Sequence, residues 1–129
     1  MSGKRDKTNP TRILVADDDE QVRSLFVKKL AAAGYEVHAA RTGQRALDML
    51  KASRFDLLVL DLNMPGTDGF EVLKTTRAEQ PHVRVLVISG YMKGALLSAA
   101  EWFGAADTLD KTLAPEQLVG HVKRLLGDV

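Results

Sequence analysis

The distribution of apolar residues along the chain predicts strands that alternate with helices. Apolar runs at residues 12–16, 57–60 and 83–88, interrupted only by Arg12 and Arg84, are typical of strands buried on both faces inside a parallel sheet. Residues 35–39 alternate in polarity, which favours an edge strand, and residues 105–109 form a weaker fifth strand. The chain therefore has five predicted strands.

Apolar residues spaced three and four positions apart predict five helices. The first ends at Gly34, the second follows Gly43, the third covers residues 70–80, the fourth ends before Gly104, and Pro115 lies in the first turn of the last. Trp102 is also expected to pack rather than to bind a cofactor. Alternating strands and helices indicate a parallel α/β sheet covered on both faces, with right-handed crossovers. The apolar positions that define the helical faces are Val22, Leu25, Phe26, Leu30, Ala33, Ala46, Leu47, Leu50, Leu96, Ala99, Ala100, Phe103, Leu118, Val122, Leu125 and Leu126.

Composition narrows the class of protein. A length of 129 residues suits one domain, and the absence of cysteine excludes disulfides and thiolate chemistry and fits a cytoplasmic setting. No run of 18 apolar residues is present, so no membrane span is expected. Residues 1–10 are basic and are predicted to be a disordered extension ahead of a domain at residues 11–129. The remainder is nearly neutral, which argues against nucleic-acid binding by this domain.

Polar side chains stand where the predicted strands end. Asp17 and Asp18 follow the first strand, Asp61 follows the third, Ser89 the fourth and Lys111 the fifth. Carboxylates that converge at one edge repel one another unless a cation intervenes, and hard oxygen ligands suit Mg²⁺, with Mn²⁺ as a substitute. Such a set can hold a phosphoryl group, and a carboxylate can itself be the nucleophile.

Four motifs, in order and each at a strand end, give the chain a family resemblance. They are ILVADDDE, LLVLDLNMPGTDG, VLVISG and GAADTLDK. From about Thr11 to Gly127 the chain resembles a response-regulator receiver domain of two-component signalling. The resemblance implies a flavodoxin-like, doubly wound, five-stranded parallel sheet of order 2-1-3-4-5 with five helices, in three α/β/α layers.

The resemblance also implies a role for individual residues. Asp61 matches the residue that accepts the phosphoryl group, Ser89 the switch hydroxyl that contacts it, and Lys111 the lysine that pairs with it. Asp18 matches the direct magnesium ligand, and Asp17 its partner, usually through water. The positions that match the family's metal site are Asp17, Asp18, Asp61 and, through its backbone carbonyl, Asn63.

Two positions depart from the family pattern. Thr108 stands where the family usually has an aromatic residue, and Thr112 stands where the family usually has a proline after the lysine. In the family, the aromatic residue turns inward behind the switch hydroxyl when that hydroxyl is drawn to the phosphoryl group. Thr108 is small and has little volume to move in this way, so we expect the conformational change to concentrate in residues 63–68 and 89–93. Met64 and Tyr91 are the predicted moving groups there, and the isomer of the Lys111–Thr112 peptide is left open.

The sequence thus favours a phosphoacceptor switch rather than a multiple-turnover enzyme. Its expected partners are a histidine kinase or a histidine phosphotransfer protein and an unidentified downstream protein, and the expected state is a monomer or weak dimer. One alternative is a receiver-like binding module that is not phosphorylated. The other is an aspartyl-phosphate phosphohydrolase, against which Asn63 weighs because such enzymes normally have a second acid there. The sequence leaves open whether the domain stands alone or belongs to a longer protein.

Overall fold

The computed structural model describes residues 10–64, 68–90 and 95–128. The predictions for the basic extension and for Tyr91 fall outside these residues. The described chain alternates five strands and five helices in this order: β1 Arg12–Ala16, α1 Glu20–Ala32, β2 Glu36–Ala40, α2 Gly43–Ala52, β3 Leu57–Asp61, α3 Gly69–Glu79, β4 Arg84–Ser89, α4 Ala95–Trp102, β5 Asp107–Asp110 and α5 Ala114–Leu126.

The strands form one parallel sheet in the order β2-β1-β3-β4-β5, which confirms both the predicted fold class and the order implied by the family resemblance. Strand β3 lies at the centre and all five of its residues are buried. Because β1 and β3 are neighbours, Ala16 pairs with Leu60 and the residues that follow both strands meet at one edge. On the other side, Asp61 pairs with Ile88 and Ser89 pairs with Asp110.

Two apolar layers hold the helices against the sheet. Leu14, Leu58 and Val85 face one layer, which includes residues of α2, α3 and α4, whereas Ile13 and Val59 face the other, which includes residues of α1 and α5. Successive side chains of a strand point to opposite faces, so an unbroken apolar run supplies both layers at once. The structure is therefore the three-layer α/β/α arrangement that the resemblance implied.

Two apolar side chains on the predicted helix faces, together with Trp102, are exposed instead of buried. Leu25 is 39% exposed, Phe103 is 41% exposed and Trp102 is 86% exposed. Trp102 and Phe103 stand at the end of α4, where Gly104 turns the chain with a φ of 105° and carries it toward β5. The prediction that Trp102 packs is wrong, because Trp102 is not among the regularly spaced apolar positions of this helix and so does not share its covered face.

The amino edge of the sheet carries a compact polar cluster around Arg12. Its Nε atom donates to Glu36 at 2.9 Å, its Nη1 atom donates to the carbonyl of Arg54 at 3.1 Å, and its guanidinium lies 4.7 Å from the centre of the Phe55 ring. The backbone N–H of Arg12 donates to Asp56 Oδ2 at 2.8 Å. These contacts tie β1 to β2 and to the segment that enters β3.

The start of α3 packs directly on the backbone that leaves β3. A β-carbon added to Gly69 would lie 2.7 Å from both the α-carbon and the carbonyl oxygen of Leu62. Asp68 caps the helix by accepting the N–H groups of Phe70 and Glu71. No helix among the described residues is both long and apolar enough to cross a bilayer.

Candidate functional site

Asp61, the last residue of β3, is the centre of the site. Its side chain is 2% exposed, which is unusual for a carboxylate unless polar groups surround it. The backbone N–H of Asn63 donates to its Oδ1 atom at 2.9 Å, and Lys111 Nζ donates to its Oδ2 atom at 2.9 Å. The strand-end carboxylate predicted from the sequence is thus held by two neighbours from different elements.

The three consecutive aspartates that follow β1 lie in three different environments. Asp17 is buried, and its Oδ1 atom accepts the N–H of Asp19 at 2.9 Å. Asp18 is exposed. Asp19 caps α1 by accepting the N–H groups of Gln21 and Val22, a role that the sequence reading missed although its position before a helix signals it.

The Lys111 ammonium contacts carboxylates at the carboxyl ends of both β1 and β3. Its Nζ atom lies 3.0 Å from Asp17 Oδ2 and 2.9 Å from Asp61 Oδ2. The backbone N–H of Lys111 donates to the carbonyl of Ser89 at 3.0 Å, so β4 fixes the lysine beyond the end of β5. The described residues contain no cis peptide bond, and Lys111 reaches both carboxylates with a trans peptide before Thr112.

Burial and neighbouring charges shift the pKa values of Asp17 and Lys111 in opposite directions. Burial raises the pKa of Asp17, an effect that outweighs the N–H of Asp19 and the Lys111 ammonium. Burial alone would lower the pKa of Lys111, but its bonds to Asp61 and Asp17 more than compensate and raise that pKa above its usual value. Lys111 therefore keeps its positive charge between the carboxylates.

The same atoms fit a divalent cation. One carboxylate oxygen from each of Asp17, Asp18 and Asp61 lies within 4.8 Å of the others. Asp17 Oδ2 is buried and, apart from its ion pair with Lys111, has no partner at hydrogen-bond geometry in the described part of the chain. A buried oxygen without a hydrogen bond is costly, and hard oxygen ligands are those that Mg²⁺ prefers. The donor set therefore suits the predicted magnesium site.

Ser89 and Asn63 are brought together across β3 and β4. Ser89 is fully buried at the end of β4, and Asn63 Nδ2 donates to Ser89 Oγ at 2.8 Å. The sequence reading gave Asn63 a role only through its backbone carbonyl and missed this side-chain contact. The family position of Asn63, two residues after Asp61, gives no signal of where its amide points.

The remaining predicted modulators have separate positions. Met64 is 3% exposed and belongs to the apolar layer under α2, α3 and α4. Thr108 is half-buried in β5 and pairs with Val87. Their roles in switching stay predictions, as does that of Tyr91.

A second polar cluster, also missed by the sequence reading, links β5 to α5. His121 Nδ1 lies 2.6 Å from Asp107 Oδ2, and Arg124 Nη2 donates to the same oxygen at 3.2 Å. Burial acts to raise the pKa of Asp107, but the bonds from His121, the N–H of Thr108 and Arg124 outweigh it and hold that pKa below its usual value. The spacing of His121 and Arg124 on one helix face is the signal that could have indicated it.

Comparison with known proteins places this geometry in a family. Residues 13–123 match the family model for the response regulator receiver domain. The chain is similar to the response regulator MprA of Mycolicibacterium vanbaalenii, with 38% identity over 117 residues, which are 91% of this chain and 51% of that protein. The same regulator of Mycobacterium avium is 39% identical over 89% of this chain and 50% of that protein. The chain spans about half the length of the curated relatives it matches.

Solved structures agree with this assignment. The Vibrio cholerae chemotaxis protein CheY4 has a TM-score of 0.83 at 30% identity, covering 90% of this chain and 98% of that one. The response regulator TrrA of Thermotoga maritima, solved in complex with Mg²⁺ and beryllium fluoride, has a TM-score of 0.79 at 30% identity, covering 89% of this chain and 98% of that one. The chain therefore belongs to the response regulator receiver domains of two-component signalling.

Proposed function

We propose that this receiver domain is a phosphorylation switch in which Asp61 accepts a phosphoryl group from a phosphohistidine in a Mg²⁺-dependent reaction. The observation that carries the proposal is the buried Asp61 carboxylate held 2.9 Å from Lys111 Nζ, with Asp17 on the same ammonium. The proposed donor is a histidine kinase or a histidine phosphotransfer protein, and the switched output is binding to a downstream protein.

In the proposed step, a carboxylate oxygen of Asp61 attacks the phosphorus atom of the phosphohistidine. The new P–O bond forms as the P–N bond breaks, and the imidazole nitrogen keeps the electron pair. Lys111 stabilises the charge on the transferred phosphoryl oxygens, because its ammonium already lies against the accepting carboxylate. Ser89, at the end of the adjacent strand, supplies a hydroxyl donor.

Asp17, Asp18, Asp61 and the backbone carbonyl of Asn63 are the residues that would hold Mg²⁺. The bound ion would supply positive charge that offsets the repulsion between the carboxylates and the incoming phosphoryl group. TrrA, solved with Mg²⁺ and beryllium fluoride, supports the same chemistry for this chain.

Acetyl phosphate and mass spectrometry test the proposal. Wild-type protein with Mg²⁺ should gain one phosphoryl group, and Asp61→Asn should gain none. The matched control is Asp56→Asn, because Asp56 precedes the same strand at its opposite end and should leave labelling intact. Full labelling of Asp61→Asn would refute the assignment of the acceptor.

The same experiment separates the alternatives from the switch. A switch should be labelled once and should lose the group slowly, without turnover of a small phosphate ester. Sustained release of phosphate from such an ester would instead support a phosphohydrolase. Wild-type protein that takes no label from acetyl phosphate or from a phosphorylated histidine phosphotransfer protein would support a binding module that works without phosphorylation.

A further inference from the structure

Lys111 is held at the base of its side chain as well as at its ammonium. Its backbone N–H donates to the carbonyl of Ser89 at 3.0 Å, and its own carbonyl accepts the N–H of Ala114 at 3.2 Å. A β-carbon added to Gly90 would lie 3.7 Å from Lys111 Cβ and 3.9 Å from Lys111 Cδ, so the stem of the lysine runs along the backbone of Gly90. These contacts are separate from the one that the ammonium makes with Asp61 at 2.9 Å.

The two residues that flank Lys111 form a turn around it. Asp110 Oδ1 accepts the backbone N–H of Thr112 at 2.9 Å and the hydroxyl of the same threonine at 2.7 Å. The carbonyl of Asp110 accepts the N–H of Leu113 at 2.9 Å. The peptide between Lys111 and Thr112 is therefore bonded on both sides, through its N–H to Asp110 and through its carbonyl to Ala114.

The orientation of this peptide affects where the lysine ammonium lies. A lysine carries its charge on a flexible four-carbon stem, so a small rotation of the backbone at its base moves the ammonium through a larger distance. A misplacement of about 1 Å can slow a reaction by about 10²-fold. The bonds of the turn do not use the carboxylates of Asp17 and Asp61, so phosphoryl transfer to Asp61 leaves them in place. They therefore suit the task of keeping the ammonium directed at the acceptor during the transfer.

The hydroxyl of Thr112 makes the shortest bond of the turn. At 2.7 Å from a carboxylate oxygen it has the length of a charge-assisted hydrogen bond, which is stronger than a bond between neutral groups. It gives Asp110 Oδ1 a second donor beside the Thr112 N–H. A proline, the usual residue of the family at this position, would offer Asp110 neither donor. The arrangement therefore depends on the threonine of this chain.

We propose that Thr112 is a positioning residue for the phosphoryl transfer. Its hydroxyl bond to Asp110 helps to fix the backbone of Lys111, and this keeps the ammonium directed at the acceptor carboxylate. The inference rests on the proposed function, since it assigns a residue that supports the same reaction. Thr112 acts through Lys111, so its effect on the reaction must vanish when the ammonium is removed.

The rate constant for labelling of Asp61 by acetyl phosphate with Mg²⁺, followed by mass spectrometry of the intact protein, is the first readout. Thr112→Val keeps the shape of the side chain and removes the hydroxyl. Because Thr112 is exposed and water competes for its bond, this variant should label about two to five times more slowly than wild type. Thr112→Ser keeps the hydroxyl and should label within about 1.5-fold of wild type. The matched control is Thr76→Val, which should label at the wild-type rate, because the Thr76 hydroxyl is buried in α3 without a hydrogen-bond partner in the described part of the chain.

Removal of the ammonium distinguishes positioning from a general effect on the fold. Lys111→Met keeps an unbranched side chain and lacks the charge. In that background Thr112→Val should alter the labelling rate by less than about 1.5-fold, because the turn no longer has an ammonium to direct. The urea midpoint should fall by the same amount in both backgrounds, since the stability of the turn does not require the ammonium. The apparent affinity for beryllofluoride with Mg²⁺, measured by amide NMR titration, gives the same comparison for a phosphoryl analogue.

The possible outcomes separate this role from the proposed function. Labelling of Thr112→Val at the wild-type rate would overturn the positioning role and leave the phosphorylation switch standing. Equal slowing by Thr112→Val with and without the lysine ammonium would also overturn it, because the effect would then not pass through Lys111. Wild-type protein that binds no beryllofluoride and takes no phosphoryl label would overturn the proposed function, and the positioning role with it.

Discussion

The two ends of strand β3 each carry an aspartate, and the two carboxylates have opposite surroundings. Asp56, just before the strand, accepts the backbone N–H of Arg12 at 2.8 Å, next to the ion pair between Arg12 and Glu36. Asp61, at the other end, shares one ammonium with Asp17 and lies close to Asp18. The contacts at the amino edge stabilise the fold. At the carboxyl edge, neighbouring carboxylates repel one another, and a bound cation would reduce that repulsion.

The largest expected effect is stabilisation by Mg²⁺ at the carboxyl edge. Saturation at about 10 to 100 times the dissociation constant should raise the free energy of unfolding by about 1.4 to 2.7 kcal/mol. That corresponds to a few degrees in melting temperature, measured by circular dichroism with Mg²⁺ and with chelator. The double variant Asp18→Asn, Asp61→Asn is the control and should lose the response. A melting temperature indifferent to Mg²⁺ would show that the carboxylates do not share a site.

The same substitution at the two ends of β3 should have opposite signs. In chelator, Asp61→Asn should unfold with a free energy about 1 kcal/mol higher than wild type, because a like charge is removed close to Asp17 and Asp18. Asp56→Asn should lower that free energy by about 0.5 to 1 kcal/mol, because its bond to Arg12 loses a charged acceptor. Urea titration of both variants measures the difference, and equal signs would contradict the contrast between the edges.

Arg12→Ala should destabilise the amino edge by about 1 to 2 kcal/mol. The loss combines the partly exposed ion pair with Glu36, the contact with the Phe55 ring and the bond to the carbonyl of Arg54. Arg12→Lys keeps the positive charge but lacks the planar guanidinium group, so it should recover less than half of the lost free energy of unfolding. Urea midpoints of the two variants give the comparison, and full recovery by lysine would show that charge alone matters there.

The smallest expected effect is a pH dependence from Asp107. Its pKa is lowered in the folded protein, so the stability it contributes is present above the ordinary carboxyl pKa of about 3.9 and is lost as pH falls through the lower, folded value. Asp107→Asn should therefore be less stable than wild type at pH 7, by less than about 1 kcal/mol, with the gap closing in strong acid. Urea titrations from pH 2 to 7 measure it, and a gap that widens on acidification would contradict the assigned sign.

The central features of the fold follow directly from sequence pattern. The apolar runs of β1, β3 and β4 are long enough to identify buried parallel strands, and the polar residues at their ends identify Asp17, Asp61 and Ser89. Boundaries moved by one or two residues where polarity changes gradually, as in β2 and β5. The strand order came from the family resemblance, since periodicity within an element carries no information about its neighbours.

What the sequence did not reveal depends on contacts between distant residues. The Asn63 amide reaches Ser89 only because β3 and β4 are adjacent in register, and Arg12 meets Glu36 only across β1 and β2. Trp102 is different, because it lies off the regularly spaced apolar face of its helix and that spacing already signalled its exposure. Short-range patterns therefore predicted the elements and the strand-end acids, whereas side-chain pairs required the folded chain.

The position of Trp102 has a practical consequence for spectroscopy. It is the single tryptophan of the sequence, and its side chain is 86% exposed at the end of α4. An indole already in contact with water emits at nearly the same wavelength before and after unfolding, so its fluorescence is a poor measure of folding in this protein. The same emission is well suited to report any molecule that covers the end of α4, because a shift to shorter wavelength then has a single origin in the chain.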